Sequence, residues 1–166
     1  MIFKYLTKNI YINLSIVTLV YFLDRLSKTY VIHLDKKNFG SEIIASSYLN
    51  IILIWNKGIA FGLLNFDKIY LYNLLSLIIA LVIVALVIMM LKNNGLKKYS
   101  LLIIIGGALG NLHDRIFFNA VPDFIDFHIG NFHWFIFNVA DIFITLGVVC
   151  LIFDEIFLDR YKNEKN

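Results

Sequence analysis

Residues 69–91 read IYLYNLLSLIIALVIVALVIMML, an apolar run broken only by Asn73 and Ser76 as strongly polar side chains. At 1.5 Å per residue such a run crosses the ~30 Å hydrocarbon layer of a membrane as a helix. Nothing but a helix satisfies its own backbone there. The rest of the chain agrees. Of 166 residues 60% are hydrophobic and 16% aromatic, and only 16% are charged. Soluble domains carry about 25% charged residues, and a soluble fold of this length leaves about 30% of its unfolded surface exposed. Such a composition therefore excludes an ordinary soluble protein. One proline and nine glycines exclude disordered, collagen-like and linker-rich chains, and the length predicts a single domain over residues 1–166. A lone cysteine, Cys150 in an apolar run, excludes a disulfide framework and a cysteine-ligated zinc site. A net charge of +3 gives no sign of nucleic-acid binding.

Three further stretches reach about the ~20 residues needed to span: approximately 10–31, 100–117 and 135–153. The expected fold class is thus an all-α membrane protein with four transmembrane helices. Lys4 and Lys8 before the first span resemble a signal-peptide start, but no small-residue cleavage site follows its core, and the span reads as retained. Lys4, Lys8, Lys92, Lys97, Lys98, Arg160, Lys162 and Lys165 fall on one side, against Lys36, Lys37, Lys57 and Lys68 on the other. By the positive-inside bias both termini are expected in the cytoplasm. The outward segment from Asp35 to Lys68 carries strand-like residues at Ser41 to Ile44 and Tyr48 to Trp55, then a turn at Asn56-Lys57-Gly58. A small extracytoplasmic β-rich segment is therefore expected between helices 1 and 2. The other outward segment, Phe118 to Trp134, carries Pro122, Asp123, Asp126, His128 and His133.

Charges inside the spans carry the chemistry. Counting 1.5 Å per residue, Asp24 and Asp114 each lie about 21 Å from the cytoplasmic end of their spans, and Asp141 about 9 Å below the outer surface. Three helices thus bring carboxylates to one outer-leaflet layer. Each costs about 2.5–3.5 kcal/mol at a helix centre and must face a partner inside the bundle. Asp24 and Lys28 share a helix face, as do Asn111, Asp114 and Arg115, and again Asn138 and Asp141. Self-satisfied ion pairs are the simpler reading of Asp24–Lys28, which would snorkel, and of Asp114–Arg115. Asp141 has no cation within a turn of its helix. Gly106 and Gly110, with Gly107, slim the third helix for close packing. His113, His128 and His133 lack a tight metal-ligand spacing and read as interfacial polar residues. Two carboxylates brought face to face cannot both ionise, so one keeps a proton while the other stays a base. The segment joining Asp123 to Asp141 is long enough to fold back and bring them together.

Five stretches in order, Asp24-Arg25-Leu26-Ser27-Lys28, Asn56 to Gly62, Gly107 to Arg115, Val121 to Asp126 and Phe137 to Asp141, give the chain a family resemblance. It resembles the lipoprotein signal peptidases (signal peptidase II), membrane-embedded aspartyl peptidases of bacteria. The resemblance implies a catalytic dyad of Asp123 and Asp141, supported by Asp24, Lys28, Asn56, Asn111, Arg115 and Asn138. It implies cleavage of diacylglyceryl-modified prolipoproteins just before the lipidated cysteine, with no metal or organic cofactor and no nucleic acid involved. It further implies contact with membrane lipid, inhibition by globomycin-type peptides, and residence in the bacterial cytoplasmic (inner) membrane with the active site near the outer face. Pro122 stands where the family has Val, His113 where it has an aliphatic residue, and Ile59 where it has a smaller one. Pro122 biases Val121 toward an extended backbone and leaves the chemistry of Asp123 alone.

Two other classes compete. A proton-coupled transporter needs polar residues reaching both membrane faces, whereas the inner halves of the second and third spans are almost wholly apolar. A non-catalytic assembly subunit packed through Gly106 and Gly110 would tolerate replacement of Asp123 and Asp141 one at a time.

Overall fold

The computed structural model describes residues 2–37, 46–58 and 69–158. Its elements in chain order are α1 (Ile2–Lys37), β1 (Leu49–Asn56), α2 (Ile69–Lys92), α3 (Gly95–Phe118), β2 (Val121–Ile129), β3 (Phe132–Phe137) and α4 (Val139–Phe153). A π-helical turn, Asp154–Leu158, extends α4. Among the described residues three helical stretches, Ile10–Lys37, Tyr70–Lys92 and Gly95–Phe118, are long and apolar enough to cross a membrane. At 15 residues α4 is about 22 Å long and falls short of the hydrocarbon thickness by itself.

α3 is the central helix, with α1, α2 and α4 packed around it. Its glycines make this possible. A Cβ on Gly106 would come within 2.7 Å of Val20 Cβ, and one on Gly110 would overlap the Asp24 carboxylate, so these two face α1. One on Gly107 would meet the backbone oxygen of Ala140 at 2.7 Å, so Gly107 faces α4. Leu101, Leu102 and Ile105 of α3 bury themselves against Ile83 and Met90 of α2. The outer faces remain greasy: Leu77, Leu81, Val84 and Leu91 of α2 are exposed, as expected of surface turned to lipid.

The sheet differs from the expectation. Among the described residues three strands run β1-β2-β3 with antiparallel pairing throughout, and of these β1 alone lies between the first two helices. β2 and β3 form a hairpin between α3 and α4, joined at Gly130-Asn131 with Gly130 at φ +59°, as a type II′ turn requires of its first residue. Hence the fourth helix starts at Val139 and not at 135. Phe132–Phe137 (FHWFIF) is apolar enough to read as the start of a span, but its aromatic and β-branched residues favour a strand. Asn138 then stops the strand by capping the helix. At the other end α1 continues to Lys37, so Asp35 to Lys37, the start of the segment read as outward, are helical. The strand expected at Ser41 to Ile44, Ile59, and the C-terminal cations from Arg160 lie outside the described residues.

Candidate active site

The residues singled out in the sequence gather into two joined polar clusters beside α3. The first is an ionic lattice between α1 and α3. Lys28 is 1% exposed and Asp24 and Asp114 are wholly buried, so this is no snorkelling pair. The Lys28 ammonium donates to Asp24 (3.0 Å), Asn111 Oδ1 (2.8 Å) and Asp114 Oδ2 (2.7 Å). Arg25 grips both oxygens of Asp114, at 2.5 and 2.6 Å, and donates to Asp24 at 2.8 Å. Two cations thus face two carboxylates, the condition for burying such charges without strong destabilisation.

Arg115 is not the partner of Asp114. It donates Nη2 to the backbone oxygen of Gly58 at 2.8 Å and lies 5.6 Å over the Tyr72 ring. Consecutive positions on a helix diverge by about 100°, which turns Asp114 toward α1 and Arg115 toward α2 and the loop after β1. Sequence reasoning passed over Arg25 because its partner sits on another helix. Its adjacency to Asp24 was the available signal.

The second cluster is built around Asn138. As N-cap of α4 its side chain accepts from the Asp141 N–H, while Oδ2 of Asp141 accepts from the Asn138 N–H; both bonds are 3.1 Å. This capping box fixes both side chains. With its oxygen committed, the Asn138 amide donates Nδ2 to Asp123 Oδ1 at 2.6 Å. Asn56, at the end of β1, donates to Asp123 Oδ2 at 2.9 Å, and its own oxygen accepts from the Gly58 N–H at 2.8 Å, forming the expected turn. Asn111 donates to Asp141 Oδ1 at 2.8 Å while accepting from Lys28, which joins the two clusters. Ala140 N–H donates to Asp24 Oδ1 at 3.1 Å, a second link. Asp141 therefore sits in the first turn of α4, closer to the helix start than a count from Phe135 gives.

Asp123 is 4% exposed. Burial pushes its carboxyl up from 3.8 to about 6, with the Asp141 charge adding to the rise and the Asn56 and Asn138 hydrogen bonds opposing it. Asp123 and Asp141 both line a cavity of about 500 Å³ together with Asn56, Asn111, Arg115 and Asn138. Its remaining walls are mostly apolar: Leu75 and Ile79 of α2, Ala108 of α3, Val121 of β2, and Ile144, Val148 and Val149 of α4, with Thr145 among them.

Of the histidines, His113 lies on α3 against the Tyr21 hydroxyl, at 2.9 Å. Their sequence spacing is wide, yet strand pairing sets His128 opposite His133, with Asp126 nearby.

The family model described as Signal peptidase (SPase) II matches residues 16–157. The lipoprotein signal peptidase of Pelagibacter ubique is 51% identical over 160 residues, covering 96% of each chain. That of Anaplasma phagocytophilum is 40% identical over 147 residues, covering 87% of this chain and 92% of its own. Two solved structures described as a bacterial membrane enzyme superpose with TM-scores of 0.69 and 0.71, at 29% and 30% identity. They cover 89% and 87% of this chain, and 88% and 92% of their own. With the family matched along nearly all of its described length, the chain belongs to the signal peptidase II family and is a peptidase of the bacterial membrane.

Proposed function

We propose that the chain removes signal peptides from diacylglyceryl-modified prolipoproteins, and that Asp123 and Asp141 are its catalytic dyad. The observation that carries this reading is the pair of carboxyls lining one cavity, set among Asn56, Asn111, Arg115 and Asn138 at one side and facing a mostly aliphatic wall at the other. A carboxyl brought to about 6 can take and give a proton near neutral pH. One member of the dyad draws a proton from the attacking water while the other, protonated, hydrogen-bonds the scissile carbonyl oxygen as negative charge develops there. The proton then passes to the leaving amine, and the dyad returns to its singly protonated state.

The supporting residues divide this labour. Asn138 and Asn56 hold Asp123 from both oxygens, and Asn111 with the capping box holds Asp141. Asp24 and Lys28 anchor Asn111 and the start of α4. Arg115 lines the cavity with Nε and Nη1 lacking a partner among the described residues, and it is placed to donate to a substrate backbone carbonyl. The aliphatic wall suits an apolar signal helix, and acyl chains on the cysteine remain in the surrounding lipid. In this reading α4 and its π-helical extension form a fourth span, both termini are cytoplasmic, and the dyad lies near the outer face of the cytoplasmic membrane. Cyclic peptides of the globomycin type would compete for the same cavity.

Purified protein incubated with a synthetic prolipoprotein peptide, with and without the diacylglyceryl group, tests the proposal. Mass analysis is expected to show a single cut before the lipidated cysteine and little cleavage of the unlipidated peptide. No cleavage of either, or equal cleavage of both, overturns it.

A further inference from the structure

The far end of the β2–β3 hairpin holds a second constellation, separate from the dyad. Asp126 and His128 lie two residues apart on β2 and so project to the same face, and His133 is the cross-strand partner of His128. The two imidazoles stack with centroids 5.1 Å apart and planes inclined by 22°. One ligand atom from each of the three residues lies within 4.8 Å of the other two.

The cluster is incompletely hydrogen-bonded among the described residues. Asp126 is 3% exposed and His128 8%, whereas His133 reaches solvent. His133 Nδ1 and Asp126 Oδ2 are bonded at 2.8 Å, which holds the outer ring over the cluster. The other carboxylate oxygen, Asp126 Oδ1, and the ring nitrogen His128 Nδ1 are both buried without a partner among the described residues. Buried polar atoms rarely stay unsatisfied, because each unmet group costs about 1–3 kcal/mol. Asp126 Oδ1 carries lone pairs, as does His128 Nδ1 in the tautomer protonated at Nε2, and a cation answers both at once.

We propose that Asp126, His128 and His133 bind a divalent first-row transition ion, with Zn²⁺ as the best fit. Two imidazoles and one carboxylate suit zinc and its neighbours better than Mg²⁺ or Ca²⁺, which prefer all-oxygen shells. Three protein ligands leave a fourth tetrahedral position for water. The ion clips β2 to β3 near the hairpin turn. Because Asp123 lies on β2 three residues before Asp126, the clip steadies the strand that carries it. No ligand is shared with the dyad, since Asp123 is held by Asn56 and Asn138.

Tag-free, full-length protein stripped of metal in detergent provides the test. Titration with Co²⁺, followed by the visible absorption of a tetrahedral complex, and calorimetric titration with Zn²⁺ are expected to saturate at one ion per chain. Zn²⁺ is expected to raise the unfolding temperature. Exposed His133 can be replaced without opening the core, so His133→Ala is expected to keep its elution volume and helical signal while binding Zn²⁺ about 10- to 100-fold more weakly or not at all. Asp126→Asn and His128→Gln are expected to lose the cobalt spectrum, and His33→Ala to retain it. Absence of saturable Zn²⁺ binding to the wild type overturns the site and leaves the two orphaned atoms to a bridging water. Equal Zn²⁺ affinity in wild type and His133→Ala overturns it as well, marking adventitious metal only.

Discussion

Asn138 donates to Asp123 across a 2.6 Å hydrogen bond, although 15 residues and a complete hairpin turn separate them in sequence. The same amide caps α4 through its oxygen, so helix formation and placement of Asp123 depend on one side chain. Replacing Asn138 would disturb a cap and a carboxylate together. Asp123 and Asp141, proposed as the dyad, are the more direct probes.

Asp123→Asn and Asp141→Asn are each expected to lower cleavage of the lipidated peptide by about 10²–10⁴-fold or to background, because an amide neither accepts a proton from water nor shares one. Both variants should insert and elute as wild type. Near wild-type turnover from either would remove that residue from the dyad.

The raised carboxyl of Asp123 makes stability depend on pH. Its folded value of about 6 lies above the 3.8 of an unperturbed carboxyl, so its stabilising share is fully present below about pH 4. That share is lost as pH rises through about 6. At about 1.4 kcal/mol per unit, the loss between pH 4 and 7 is on the order of 3 kcal/mol. Thermal unfolding of wild type and Asp123→Asn at both pH values should show the wild type losing ground to the variant as pH rises. A difference independent of pH would contradict the raised value.

For the lattice, the double variant Asp24→Asn, Lys28→Gln removes one charge of each sign and leaves Arg25 still paired with Asp114. Insertion should persist. Asn111 would lose its Lys28 anchor and Ala140 N–H would lose its carboxylate, which displaces Asp141 rather than removing it. A partial loss is expected, on the order of tenfold, or about 1.4 kcal/mol in the barrier. Undiminished turnover at equal membrane abundance would return both residues to a purely structural role.

Gly107→Ala is expected to cost about 1–3 kcal/mol of stability, since the new methyl would press on the Ala140 backbone, which cannot swing aside as a side chain does. Because Ala140 adjoins Asp141, cleavage should fall along with the unfolding temperature. A variant as stable and active as wild type would mean that α3 and α4 pack less closely than described.

Reporter fusions at Asn94 and Asn166 should give a cytoplasmic signal, and a fusion at Asn38 an external one. An external signal at Asn166 would overturn the orientation.

Much of this was legible in the residues because charge inside a membrane is costly and has to find partners. Asp24, Lys28, Asn111 and Asp114 do meet, and so do Asn56, Asp123, Asn138 and Asp141. Pairing was harder to read than membership. Asp114 takes Arg25 from another helix and not its neighbour Arg115, because the choice depends on how α3 rotates against α1, which small contacts at Gly106 and Gly110 decide. The β2–β3 hairpin escaped notice for a different reason. In Phe132–Phe137 an apolar aromatic run has nearly the same hydropathy whether it becomes strand or helix, and only Asn138 marks the boundary.

The positions of α2 and α4 carry one more consequence. Both pack chiefly on α3 rather than on each other, and the aliphatic half of the cavity lies between them. On the function proposed, a substrate helix reaching that gap travels sideways in the plane of the bilayer. Encounter is then governed by the number of substrate molecules per lipid, not per litre. Added inert lipid would slow turnover at constant bulk concentrations of enzyme and substrate, the behaviour known as surface dilution.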